Sequence, residues 1–145
     1  MKMQIMAYDR GPLILSDSIS KDLLNFDDVN VQISMLIKYK AQNGLFGTQF
    51  SIRFVANNDL QVAEIGMMFS VYLEGWAEFI EKTQNEEEIV DFITRDTNVI
   101  ENLLNATNAV VLERSVGTII EGFFIPSVVD YDEFKSKAIQ VEKVE

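Results

Sequence analysis

Three consecutive carboxylates, Glu86-Glu87-Glu88, form the densest run of chemically capable side chains in this sequence. Grouped carboxylates can hold a divalent cation, receive a basic partner or work as an acid–base pair. They follow Asn85 and precede Ile89, Val90, Phe92 and Ile93. That is the position where Asn caps a helix and acidic residues complement its exposed N–H groups. The triplet is therefore read as the solvated first turn of a short helix rather than as a ligand set. Composition closes most other chemistry. There is no cysteine and no histidine, so the chain supplies no disulfide, thiolate nucleophile, Cys/His zinc site or imidazole base. The glycines are scattered singly rather than grouped in a phosphate-binding loop. Nothing marks a Ser–Lys dyad. With 23 Asp and Glu residues, chance alone juxtaposes some carboxylates, and a glycosidase-like pair needs a cleft that a small sheet rarely offers. The expectation is a protein that is no enzyme and holds no metal and no cofactor.

What the sequence does build is a sheet. From Val29 to Leu73 it reads as three strands joined by two tight turns. In the first strand Val29, Val31, Ile33, Met35, Ile37 and Tyr39 share one face, with Asn30, Gln32, Ser34, Lys38 and Lys40 on the other. Successive side chains of an extended chain point to opposite sides, so this spacing gives one apolar and one wet face. Asn43-Gly44 makes the first turn, a pair that tolerates positive φ. Phe46, Thr48, Phe50, Ile52 and Phe54 line the second strand, and Asn57-Asn58-Asp59 makes the second turn. Ala63, Ile65, Met67, Phe69, Val71 and Leu73 line the third. Short turns between alternating strands predict an antiparallel meander.

At 145 residues, nearly half of them hydrophobic, the chain is expected to fold as one domain spanning 1–145 around a single core. The net charge of −11 repels phosphate backbones, so nucleic acid is not an expected partner. Met1-Lys2-Met3-Gln4-Ile5-Met6 is too short, and too soon followed by Asp9 and Arg10, for a signal peptide. No apolar run approaches the ~20 residues that span a bilayer. A cytoplasmic location without membrane insertion is the expectation.

Residues 3–15 predict a strand bent or bulged at Gly11-Pro12, since proline gives no donor to a ladder. Ser16 to Asp28 is polar apart from Leu23, Leu24 and Phe26. It is too long for a hairpin and suits a crossover. Glu74-Gly75-Trp76 ends the sheet. After the short helix, Thr97 or Asn98 opens a longer one. Its apolar residues from Val99 to Ile120 recur at three- and four-residue spacing, with a weak point at Asn105-Ala106-Thr107-Asn108 and a stop at Gly122. Phe123 to Val129 is extended. Tyr131 to Ala138 predicts a last helical turn or two, and residues 138–145 a frayed tail.

There is also more apolar surface than one covered face requires. The third meander strand is apolar at Val62, Met68 and Tyr72 on its second side, and Leu36 interrupts the polar side of the first. Such a surplus implies a second covered face, an oligomer interface or an open groove. Met68 and Tyr72 are assigned to an oligomer interface, as a homodimer or dimer of dimers.

Taken in order, these elements resemble the SecB-like family, the bacterial protein-export chaperone and its divergent relatives, from about Met3 to about Lys137. The parts that match are Met3–Ser16, Asp17–Asp28, Val29–Leu73, Glu86–Ile93, Asn98–Glu121 and Phe123–Ser127 followed by Tyr131–Ala138. Met3-Gln4-Ile5 looks like the family's opening strand. Asn108 followed by Val110 to Arg114 is similar to its Asn-(apolar)-Arg entry into the long helix. Phe124-Ile125-Pro126 and Asp130 to Phe134 resemble its closing proline and Asp/Phe segment. The Phe-Pro-Tyr that commonly precedes the helical arginine is replaced by Val110-Val111-Leu112, and the family's glycine-rich loop is reduced to Gly75.

The resemblance implies an α+β fold: a four-stranded antiparallel sheet in order 1-4-3-2, with a long crossover after strand 1 and helices on one face. It implies an ATP-independent chaperone or holdase that binds unfolded or preprotein polypeptide through apolar grooves and free strand edges. Leu23, Leu24, Phe26, Phe124 and Tyr131 are the groove residues, with ordinary local core as their alternative. Two further readings stay open: an adaptor dedicated to one partner such as an antitoxin, and an oligomeric structural protein that is no chaperone. The family's acidic sheet face meets the translocation motor, whereas the matching face here carries Lys38, Lys40 and Arg53.

Overall fold

The structure is a computed structural model that describes residues 2–17, 28–39, 44–56, 59–83, 85–95, 97–125 and 139–144. Its elements are β1 (Met3–Leu15), β2 (Val29–Tyr39), β3 (Leu45–Ala56), β4 (Gln61–Leu73), α1 (Trp76–Lys82), α2 (Glu86–Arg95), α3 (Val99–Arg114) and β5 (Ile139–Lys143). The strands form one sheet in the order β1-β4-β3-β2-β5. The first four are antiparallel neighbours in the expected 1-4-3-2 arrangement, and β5 joins β2 in parallel.

Two-residue periodicity decides which side of the sheet is dry. Phe46, Thr48, Phe50, Ile52 and Phe54 of β3 are buried, as are Ala63, Ile65, Met67, Phe69, Val71 and Leu73 of β4. Register places them in shared rows, Ile52 against Ile65 and Phe46 against Val71, so both strands present one continuous apolar surface to the helices. The helices answer with Trp76 and Ile80 of α1, Ile89 and Ile93 of α2, and Ile100, Leu103 and Val111 of α3. Trp76 sits at the centre of the aromatic packing. Its ring meets Phe46 at 4.7 Å and lies near Tyr39, Phe79 and Phe92, while Phe79 and Phe92 stack at 4.1 Å.

Bulges shape β1, as the Gly11-Pro12 pair predicts. Its register against β4 shifts between Ile5 and Ala7 and again between Arg10 and Leu13. A Cβ on Gly11 would meet the carbonyl oxygen of Gly66 at 2.7 Å, so only glycine lets the two backbones approach this closely. The guanidinium of Arg114, at the end of α3, donates to the Gly11 carbonyl at 2.5 Å. It takes up an acceptor that the irregular strand presents. At the other turn, Asp59 adopts φ 61° and closes the hairpin with its N–H on the Ala56 carbonyl at 2.9 Å.

Several expectations need correction. Trp76 does not simply end the sheet; it opens α1, a seven-residue helix whose N-cap is Gly75 at φ 86° with no side-chain cap. The usual Ser/Thr/Asp/Asn start signal is missing there. α3 runs unbroken through Asn105 to Asn108. The Thr107 hydroxyl donates to the Leu103 carbonyl at 2.8 Å, and such back-bonding keeps a buried polar residue satisfied inside a helix. The helix ends at Arg114 rather than near Glu121. Beyond it Gly117 (φ 78°) and Gly122 (φ 87°) punctuate a chain of turns, with Thr118 bonded to Ser115, Glu121 to Thr118 and Phe123 to Ile120. Ile120 reaches the core from a turn while Val116 stays exposed, so their three- and four-residue spacing was not helical. Asn108 to Arg114 lies in the second half of α3 rather than at its entry. Val62, assigned to the open face, is buried beside the register shift at Phe54/Val55. The tail expected to fray instead carries β5, because β2 is an edge with free ladder groups and Ile139 has a place in the core. The predicted turn or two of helix over Tyr131–Ala138 lies outside the described residues.

The close approach at Gly11 makes a prediction. Gly11→Ala is expected to destabilise the fold by about 1–3 kcal/mol, because a backbone oxygen cannot step aside. Gly66→Ala, whose new Cβ has only an ordinary 3.8 Å contact with the Phe50 carbonyl, is expected to be neutral or stabilising by up to about 1 kcal/mol. Urea unfolding followed by the fluorescence of Trp76, the single tryptophan, measures both.

Candidate functional site

The acidic triplet is a helix start. Asn85 accepts the Glu88 backbone N–H on its side-chain oxygen at 3.2 Å, and Glu86, Glu87 and Glu88 are exposed in the first turn of α2. The Glu88 carboxylate accepts the hydroxyl of Thr83. These contacts complete a cap, with each carboxylate near the positive end of the helix. Among the described residues, no group of three or more acidic side chains converges as metal ligands would. The one salt bridge among the described residues joins Arg10 of β1 to Glu113 of α3 at 3.2 Å. Arg10 is held above its usual pKa by the Tyr8 side chain and then by Glu113, and the pair is exposed.

Apolar surface is the remaining resource, and it lies in two places. The first is the sheet side away from the helices. Met68 is 49% and Tyr72 41% exposed, as the second-face assignment requires. Leu36 of β2 lies half-buried two strands away, in a row through Gln49 and Met68. Beside that row Gly11, Gly66, Ser51 and Ser34 leave a shallow depression of about 460 Å³. Its lining holds no charged side chain, so it offers contact rather than chemistry. Of the three cations expected on this face, Lys38 is half-buried and Arg53 exposed, the latter donating to the Gln61 side chain at 2.9 Å. Lys40 lies outside the described residues.

The second place is the end of the sheet where β2 begins. Met35, Ile37 and Tyr39, which pair with β5, are 2%, 0% and 4% exposed. Val29, Val31 and Ile33, on the same face of the same strand, are only half-buried. Among the described residues, β5 runs beside β2 from Met35 to Tyr39, the half of the strand that is fully buried. The segment after the α3 turns comes to this end. The Phe123 ring lies 5.8 Å from that of Phe54, and Phe54 is the register partner of Val31. Asn108 fixes the segment by accepting the Ile125 N–H at 3.0 Å. Phe123 and Ile125 therefore point into the core while Phe124 between them is 45% exposed, as extended backbone dictates.

Of the five groove residues expected from the sequence, Phe124 is partly exposed and follows Phe123, which packs on Phe54 of β3. Leu23, Leu24, Phe26 and Tyr131 lie outside the described residues. Val29, Val31 and Ile33 were read only as part of the apolar face of the first meander strand. The expected 1-4-3-2 order already sets this strand at an edge, and what their periodicity does not reveal is that these three residues are only half-buried.

No protein-family model and no curated protein sequence matches the chain. Among solved structures it is similar to the SecB-like chaperone Rv1957 of Mycobacterium tuberculosis, determined in complex with a ChAD peptide from the Rv1956 HigA1 antitoxin. The TM-score is 0.55 with 12% sequence identity, over 88% of this chain and 88% of that one. An identity this low carries the fold and not the activity.

The neighbours Phe123 and Phe124 should respond oppositely to truncation. Phe123→Ala removes a buried ring and is expected to cost about 3–5 kcal/mol. Phe124→Ala is expected to cost about 1 kcal/mol or less, in the range of surface substitutions. Thermal and urea midpoints of the two variants check the assignment of one ring to core and the other to surface. The chain has the SecB-like fold: a four-stranded antiparallel sheet, extended here by a fifth strand, with its helices on one face.

Proposed function

We propose that this protein is an ATP-independent chaperone or adaptor that binds unfolded or extended polypeptide at the β2 edge and beside Phe124. The observation that carries the reading is the SecB-like fold together with a half-covered apolar row, Val29, Val31 and Ile33, at an edge of the sheet. An edge strand offers backbone donors and acceptors to any extended chain, and alternate apolar positions give modest selectivity. Such binding tolerates many sequences and needs neither nucleotide nor metal, which agrees with a chain lacking a phosphate loop, cysteine and histidine. The reaction class is association alone, without covalent chemistry.

A second reading is favoured by a specific observation: the similar Mycobacterium tuberculosis chaperone is in complex with an antitoxin peptide. An adaptor serving one labile partner would use the same edge with narrower preference. Assembly is part of the proposal in either form. Met68 and Tyr72 are large apolar groups in the open on the sheet's second side, and we assign them to a homodimer or dimer-of-dimers contact. The reading as a structural oligomer without client binding shares that contact and lacks the edge site.

Suppression of aggregation by an unfolded client tests the edge. Phe124→Ala and Val31→Thr are each expected to weaken suppression about five-fold or more, the cost of losing a contact worth upwards of 1 kcal/mol. Met68→Ser is expected to leave it unchanged. A wild type that suppresses nothing with several unrelated clients, yet co-purifies with one partner, selects the adaptor. Failure of both assays returns the protein to a structural role. The oligomer is tested separately by light scattering at micromolar concentration. A mass above the 16.5 kDa chain is expected, with Met68→Lys/Tyr72→Lys shifted toward that value. A wild type at the chain mass contradicts the interface.

A further inference from the structure

We infer that β5 is a displaceable internal occupant of the polypeptide-binding edge, so that the chain competes with its own client for β2. This deepens the chaperone reading and rests on it. β2 has 11 residues, and the five of β5 pair with its second half only, Met35 with Ile139 through Tyr39 with Lys143. The first half, from Val29 to Ser34, has its apolar side half-buried and no ladder partner on that edge among the described residues. Among the described residues, one track along the edge is thus part filled and part open.

β5 is lightly held for a strand. Its ladder is parallel, the pairing that is slightly less stable per residue. Ile139, 9% exposed, is its one buried side chain, while Val141 is half-buried and Gln140, Glu142 and Lys143 are exposed. Beyond β2 it also packs against α2. Just past β5 the Val144 N–H donates to the Tyr39 carbonyl at 2.8 Å.

An extended client that pairs along Val29–Ser34 reaches Met35 and there meets Ile139. To continue, it must take the place of β5. The exchange trades one ladder for another and Ile139 and Val141 for alternate apolar residues of the client. Met35, Ile37 and Tyr39 are covered before and after, so no core is left open to water. The partner chemistry follows: an extended segment with apolar residues at every second position and length beyond the open half of β2. Segments of about six residues fit the open half and do not feel β5. Longer ones do, and their apparent affinity is reduced by the fraction of molecules with β5 seated.

Two variants test this with reduced, carboxymethylated α-lactalbumin as a permanently unfolded probe. Ile139→Asn/Val141→Asn loosens β5 and is expected to bind the probe about ten-fold more tightly, for a strand seated in about nine molecules of ten. Leu36→Cys/Gln140→Cys places thiols on register partners in a chain with no other cysteine. Its oxidised form is expected to bind more weakly than its reduced form, and the reduced form like the wild type. Equal binding by all forms, or weaker binding by a folded asparagine variant, overturns the inference and leaves the chaperone reading standing. If the asparagine variant does not fold, the oxidised and reduced cysteine pair decides alone. A probe bound by no form, wild type included, overturns the chaperone reading and this inference with it.

Discussion

Burial of one side of a twisted antiparallel sheet beneath three helices is the constraint from which the rest of the molecule follows. Every second residue of β3 and β4 is committed to that side, and a one-residue slip would turn the whole apolar set to water. Trp76 is the side chain at which the commitments meet. It leaves β4 through a left-handed glycine, enters α1, and packs against rings from β2, β3, α1 and α2. Its indole N–H and the Thr48 hydroxyl are buried without a hydrogen-bond partner among the described residues. Packing therefore outweighs polar satisfaction at the centre of this core.

A sheet closed on one face still has two edges and a second face, and the structure treats them differently. β1 is broken by two bulges, tied by Arg114 and bordered by the Arg10–Glu113 pair. Bulges and charge are the devices that blunt an edge against stray pairing. Among the described residues β2 has neither protection along Val29–Ser34, and its second half is covered by a strand of the same chain. An edge left regular and apolar on one side is suited to pairing. That asymmetry, rather than any reactive group, is what points to polypeptide binding. Asn108 and Phe123 bring a further aromatic, Phe124, to the same end of the sheet.

The meander and the cap of α2 were legible in the sequence because each rests on local chemistry: alternation in Val29–Leu73, turn residues at Gly44 and Asp59, and Asn85 ahead of three glutamates, while the 1-4-3-2 order came with the long crossover and the family resemblance. Met68 and Tyr72 were legible as surplus because they break an alternation that burial otherwise enforces. What escaped depends on neighbours distant in the chain. α1 has no capping side chain to announce it. Ile119 and Ile120 reach the core from turns that imitate helical spacing. β5 reads as a charged tail until a free edge is present to receive it. The half-burial of Val29, Val31 and Ile33 escaped for the same reason: periodicity reports a face of a strand and never what lies beside it.

Hydrogen exchange of the chain with and without an unfolded polypeptide tests the central claim most directly, that client binding is strand addition to β2. Backbone amides in Val29–Ser34 are predicted to become more protected when the polypeptide is added, while those of β4, paired on both sides, stay unchanged. Protection confined to β4 and β1, with Val29–Ser34 exchanging as in the free chain, would contradict it and move the binding surface to the side of the sheet that carries Met68 and Tyr72.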